Sequence, residues 1–67
     1  MAVARVTEIT ASSPKGFKEA LDEGFKRASK TLRGITGIEV EKMTAHVEKG
    51  KITEYRVRMK ITFILED

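Results

Sequence analysis

Residues Thr53 to Leu65 read TEYRVRMKITFIL, and every second side chain of this segment is apolar or aromatic. The apolar set consists of Tyr55, Val57, Met59, Ile61, Phe63 and Leu65. Such alternation predicts one long β-strand with a single buried face, because successive side chains of a strand point to opposite sides. The strand would span roughly 43 Å, whereas a compact chain of this size has a radius of gyration of only about 11 Å. Its own chain cannot cover it, so we expect self-association.

Composition limits the other ways of stabilising so small a chain. The 67 residues contain no cysteine and one histidine, His46, which excludes disulfides and makes a zinc or iron–sulfur site improbable. Domains of this size bury a small fraction of their surface and often need disulfides, metals or oligomerisation. We therefore expect a single domain over residues 1–67 that is stabilised by oligomerisation and holds no metal.

Charge and hydropathy exclude several classes of partner. The 13 basic and 10 acidic residues are interspersed and give a formal charge of +3, which is a mild bias and not a nucleic-acid-binding composition. No apolar run approaches the roughly twenty residues of a transmembrane helix, and the amino terminus lacks a signal-peptide core. Together with the lack of cysteine, this predicts a cytoplasmic protein with no membrane partner.

The first half of the chain predicts a strand followed by a helix. The strand covers Ala2 to Thr10, and Ser13-Pro14 is typical of a helix cap followed by the first helical residue. Apolar or small side chains then recur with helical spacing at Phe17, Ala20, Leu21, Gly24, Phe25, Ala28 and Leu32. The helix is expected to end near Arg33, with Gly34 just past its end.

The second half predicts a β-hairpin. A strand begins at Ile38, and its apolar pattern changes phase near Glu41-Lys42, which indicates a β-bulge. The turn over residues 48–51 leads into the last strand. The fold class is therefore α+β, a βαββ unit with one amphipathic helix packed on a curved three-stranded antiparallel sheet.

Residues that could carry catalysis are few. His46 lies in the polar phase of a strand, where a solvated imidazole is the simpler interpretation, and Glu39 and Glu41 are typical of a solvated edge. Gly34 and Gly37 follow a helix end, whereas phosphate-binding loops precede a helix start. The sequence therefore predicts no catalytic residue and no enzyme.

The polar face of the hairpin predicts a basic ribbon. With Val47 opposite Thr53, the facing pairs are His46 with Glu54, Thr44 with Arg56 and Lys42 with Arg58, joined by Lys49, Lys51 and Lys60. No aromatic side chain lies on that face to stack bases, and Glu48 and Glu54 reduce its charge. Nucleic acid is therefore not favoured as a partner, and we interpret the ribbon as lining an intersubunit or solvent-filled space.

Four segments resemble one known family. Glu8–Pro14 (EITASSP) looks like the strand-to-helix start of dodecins, and Ala28–Arg33 (ASKTLR) looks like their helix end. Ile38–Val40 (IEV) and Phe63–Glu66 (FILE) complete a similarity that covers essentially the whole chain. This resemblance implies βαββ units assembled into a hollow homododecamer of cubic symmetry. It also implies binding of flavin (riboflavin or FMN), two at each two-fold axis, for storage without turnover.

The sequence departs from this family at the flavin-contacting positions. Gly37 occupies the place of the tryptophan that usually stacks on the flavin ring, and the chain has no tryptophan. Arg56 replaces a glutamine that hydrogen-bonds the ring, and Thr44 stands where some members carry an arginine. Gly37, Thr44 and Arg56 are thus the ligand-binding candidates that the resemblance implies.

Two functions remain open after these departures. The favoured one is a non-enzymatic, dodecin-like oligomeric shell for small-molecule binding or storage, in which flavin binding is weak or lost and another ligand, of anionic character, contacts Arg56. The alternative is a fully functional protein for flavin storage and sequestration. Nucleic-acid binding is a distant third possibility, recognisable by a steep dependence on salt.

Overall fold

A computed structural model describes residues 3–65 and contains one helix and three strands. The strands are β1 (Val3–Ser13), β2 (Ile35–Glu48) and β3 (Lys51–Leu65), and the helix is α1 (Phe17–Ser29). β3 lies between β1 and β2, and both pairings are antiparallel. The predicted α+β, βαββ fold with one helix on a three-stranded antiparallel sheet is therefore confirmed.

The buried core lies between α1 and the middle of β3. Val57, Met59 and Ile61 are at most 1% exposed and pack with the small residues of the helix. At Gly24 an added Cβ would lie 2.7 Å from Met59 Cε and 3.0 Å from the Cβ of Ala11. A glycine there permits the close approach of helix and sheet, as the apolar stripe predicted.

Both ends of α1 differ from the sequence prediction. Ser13 does not cap the helix; it is the buried last residue of β1, and its hydroxyl accepts a hydrogen bond of 3.1 Å from the backbone N–H of Lys15. The helix begins after Gly16 and ends at Ser29, one turn before the expected end. The long β3 explains the first difference, because it provides Ser13 with a strand partner in Tyr55.

The α1–β2 connection and the hairpin turn both use left-handed residues. Gly34 has φ 73°, but it lies in the connection to β2 and not just past the helix end as predicted, since α1 ends at Ser29. Its carbonyl accepts a hydrogen bond of 2.9 Å from the N–H of Ile64. The hairpin turn consists of Lys49 (φ 51°) and Gly50 (φ 75°), which is the backbone of a two-residue type I′ turn.

The register of β2 against β3 contains the predicted bulge and two further irregularities. The pairing shifts between Val40 and Lys42, as the phase change predicted, and it also shifts between Ile35 and Gly37 and between His46 and Val47. Val47 therefore faces Ile52, and its predicted pairing with Thr53 is wrong. The other predicted pairs are present, namely His46 with Glu54, Thr44 with Arg56 and Lys42 with Arg58.

The described part of the chain is elongated, and its helix covers only part of the sheet. It measures 52 × 19 × 13 Å with a radius of gyration of 13.8 Å. α1, about 20 Å long at 1.5 Å per residue, lies against β1 and β3. On β2, Val40 and Met43 share the helix side of the sheet with buried Met59 and Val57, yet they are 43% and 54% exposed. An apolar surface therefore remains uncovered beside the helix.

Candidate functional site

The surface of the sheet opposite α1, here called the outer face, carries the candidate ligand-binding residues. Since Val57, Met59 and Ile61 point toward the helix, the alternate side chains of β3 point to the outer face. Four rows cross it from β1 through β3 to β2: Ser12–Arg56–Thr44, Thr10–Arg58–Lys42, Glu8–Lys60–Glu39 and Val6–Thr62–Gly37. The face is polar and charged in its first three rows and mostly uncharged in the fourth.

Two of the three candidates lie together and the third lies apart. Thr44 and Arg56 are direct cross-strand partners, whereas Gly37 pairs with Thr62. The rows of Arg56 and Thr62 are separated by about 20 Å along β3 at roughly 3.3 Å per residue. A small ligand that contacts both Gly37 and Arg56 would therefore have to take them from two different copies of the chain.

The surroundings of Gly37 are open. An added Cβ would meet no atom within 4 Å, and on the far side of Thr62 the side chain of Val6 is 54% exposed. Within residues 3–65, every aromatic side chain belongs to α1 or to the helix side of β3. Phe17 and Tyr55, for example, meet edge to face with ring centroids 5.0 Å apart. Within residues 3–65, the outer face therefore offers no Phe, Tyr or Trp ring for stacking on a flavin.

Arg56 borders a shallow basic depression. Its Nε donates a hydrogen bond of 2.6 Å to Glu54 Oε1, and its side chain is 48% exposed. The depression encloses about 250 Å³ and is lined by Thr10, Lys42, Thr44, Arg56 and Arg58. Lys42 and Arg58 were in the predicted basic ribbon. Thr10 was missed because the apolar pattern of β1 is imperfect and did not indicate which of its residues face outward.

An acidic cluster adjoins the depression around Lys60. Lys60 Nζ lies 3.2 Å from Glu41 Oε2, and this contact raises the pKa of Lys60. Hydrogen bonding between the carboxyls of Glu8 and Glu41 raises the pKa of Glu8, and the same bond together with Lys60 lowers the pKa of Glu41. Glu39 faces Lys60 across the strands. Glu39 and Glu41, which were interpreted from the sequence as a solvated edge, thus both lie beside Lys60.

The histidine lies where a surface role was predicted. His46 Nε2 is 3.7 Å from Glu48 Oε1, and its side chain is 48% exposed. Within residues 3–65, no group of three or more His, Cys, Asp or Glu side chains is placed to hold a metal ion. The one helix of this part of the chain is too short and too polar to cross a membrane.

Comparisons with known proteins agree on one family. The family model described as Dodecin matches residues 3–66. A dodecin of Thermus thermophilus is 29% identical over 65 residues, which cover 97% of this chain and 94% of the relative. A solved dodecin from Streptomyces davaonensis is 35% identical with a TM-score of 0.94, covering 98% of this chain and 97% of its own.

A more distant solved structure has a title that mentions a metal. It is a calcium dodecin of Mycobacterium tuberculosis, titled a calcium-chelating antigen with a novel calcium-binding site. It is 28% identical with a TM-score of 0.83, and the match covers 96% of this chain and 91% of that one.

Proposed function

Because the chain belongs to the dodecin family, we propose that it is a non-enzymatic, dodecin-like oligomeric shell that binds or stores a small molecule and in which flavin binding is weak or lost. The observation that carries this proposal is Gly37, an open position on an outer face where the described chain has no Phe, Tyr or Trp ring. Family membership supports small-molecule binding in general, and the local chemistry supports the departure from flavin.

Tight flavin binding is disfavoured because contact area is lost at Gly37. An aromatic ring stacked on a planar ligand contributes about 1 kcal/mol beyond the burial of its area, and both contributions are missing at Gly37. Arg56, in the place of a glutamine, donates hydrogen bonds but cannot accept one from a ring N–H. Its guanidinium is also engaged by Glu54 at 2.6 Å. An anionic ligand suits this residue better than a neutral ring.

The alternative is flavin storage and sequestration with riboflavin or FMN, and one local feature favours it. The row that contains Gly37 also contains Thr62 and exposed Val6, so a flat apolar ring would find little charge there. A second copy could contribute the remaining contacts.

Flavin titration separates these two functions. We expect the purified protein to be colourless and to quench riboflavin fluorescence very little, since no ring is present to stack on the isoalloxazine. The measurement is riboflavin fluorescence while the assembled protein is added, with free tryptophan as the control for non-specific quenching. Strong stoichiometric quenching at micromolar flavin would favour the storage function instead.

For the assembly we propose a homododecamer built through the uncovered helix side of β2. Val40 and Met43 leave apolar surface uncovered in a single copy, and membership of the dodecin family, whose members are oligomeric, supports self-association. A single domain over residues 1–67 and a cytoplasmic location stay predictions of the sequence.

Met43→Asp is expected to weaken the assembly. The side chain is 54% exposed in one copy, so an aspartate costs the single fold little but places a charge in the contact with the next copy. Sedimentation velocity of the variant should show smaller species than the wild type at equal concentration. Met43→Leu, which keeps the apolar contact, should sediment like the wild type. An intact assembly of Met43→Asp would mean that this face is not the contact.

A further inference from the structure

We propose that a second copy of the chain docks on the exposed side of α1, with the two helices antiparallel. The contact is made by four charged side chains, here called the helix stripe: Glu19, Glu23, Lys26 and Lys30. This inference goes beyond the proposed function, because it adds a surface between copies that is separate from the apolar contact through β2 and from the outer face of the sheet.

The residues of the helix stripe lie on one side of the helix. They are separated by four, three and four positions, which at 3.6 residues per turn places them within about 60° around the helix axis. All of them are exposed, and Lys30, the residue that follows α1, keeps a helical backbone with φ −73° and ψ −28°. The stripe is about 16 Å long at 1.5 Å per residue, and it lies apart from the buried side of α1, which contains Ala20, Gly24 and Ala28.

Neighbouring charges of the helix stripe have the same sign. Glu19 and Glu23 are four residues apart, as are Lys26 and Lys30, and like charges at this spacing destabilise a helix. Acidic residues early in a helix and basic ones late in it suit the helix dipole, but a dipole does not provide an ion-pair partner. Within residues 3–65, no member of the stripe forms an ion pair.

A second copy turned by 180° supplies the missing partners. When two antiparallel helices meet midway between Gly24 and Phe25, Glu19 faces Lys30 of the second copy and Glu23 faces its Lys26. Two-fold symmetry repeats both pairs, so the stripe is complementary to itself. A parallel arrangement in register would instead place glutamate on glutamate and lysine on lysine, which is why the pattern favours the antiparallel contact.

The expected contact is weak for one pair of chains and stronger between assemblies. Exposed ion pairs contribute little individually and are screened by salt. An oligomeric assembly presents several stripes at once, and several weak contacts made together raise the overall affinity. We therefore expect association between assembled proteins, strongest at low ionic strength.

Sedimentation velocity of the assembled wild-type protein at about 0.01 M and about 1 M salt tests this contact, because the screening length falls from about 30 Å to about 3 Å over this range. Species larger than the assembly should form at low salt and disappear at high salt. Two double variants with the same net charge then test the antiparallel pairing. Glu19→Lys/Lys30→Glu exchanges the charges of one facing pair and should associate like the wild type. Glu19→Lys/Lys26→Glu places like charges opposite each other throughout and should weaken association at low salt roughly 10- to 100-fold.

Circular dichroism of both variants shows whether they fold, which is expected because the exchanged side chains are exposed. The same comparison can be repeated at Glu23, where Glu23→Lys/Lys26→Glu keeps the facing pairs and Glu23→Lys/Lys30→Glu breaks them. Equal association of the pair-keeping and pair-breaking variants would overturn the inference. A wild-type protein that sediments as the same single oligomer at both salt concentrations would also overturn it, while the proposed small-molecule function would stand.

Discussion

Met59→Asp is expected to abolish folding and assembly together. Met59 is fully buried at the centre of β3, the middle strand of the sheet, and its Cε lies 2.7 Å from where a Cβ added at Gly24 would be. An aspartate there would either remain ionised without a partner or take up a proton, and both states are costly in an apolar core. The expected loss exceeds about 4 kcal/mol. A single core of this size supplies only about 3–5 kcal/mol, so little or no folded protein should remain.

Circular dichroism and sedimentation of Met59→Asp check this expectation in one preparation. Met59→Leu is the control, since a swap that conserves volume costs less than about 1.5 kcal/mol and should keep both the fold and the assembly. If Met59→Asp gave a well-folded single chain, folding and association would be separate events. Our inference that the exposed face of β2 needs a second copy would then lose its energetic basis.

The alternation in β3 was sufficient to predict one long strand with a single buried face, and the helix and the hairpin followed from apolar patterns of their own. The bulge at Glu41-Lys42 was predictable for the same reason, since a change of phase in the apolar pattern is visible in the sequence. The residue at which β1 ends was not predictable from the sequence. Ser13-Pro14 satisfies the local rules for a helix start, but pairing with Tyr55 keeps Ser13 in the strand. The local preference of Ser13-Pro14 for a helix start was overridden by the strand pairing with Tyr55, which is distant in the sequence.

The candidate site was only partly predictable from the sequence. The pairing of Thr44 with Arg56 and of Lys42 with Arg58 followed from hairpin register, which neighbouring residues determine. Thr10 could not be found in this way, because it reaches the same depression from β1 through a contact between residues far apart in the chain. The resemblance to dodecins placed Gly37 among the ligand contacts. In one copy, however, the geometry separates it from Arg56 by about 20 Å along the strand.

Gly37→Trp is expected to tighten riboflavin binding roughly 10- to 100-fold, because a stacked indole adds both buried area and a ring contact. The backbone permits the change. Gly37 is not among the glycines with positive φ, which are Gly34 and Gly50, and an added Cβ meets nothing within 4 Å. The indole therefore has room on the outer face, beside Thr62 and the exposed side chain of Val6.

Fluorescence quenching of riboflavin measures the effect of Gly37→Trp, with Gly37→Leu as the matched control. Leucine adds apolar area without a ring, so a large gain for tryptophan and a small gain for leucine would assign the missing affinity to stacking. Equal gains would assign it to burial alone. If neither variant changes the titration, the site differs from flavin-binding dodecins in more than one side chain. Arg56 would then be the next residue to exchange, because it replaces a group that both donates and accepts hydrogen bonds with one that only donates.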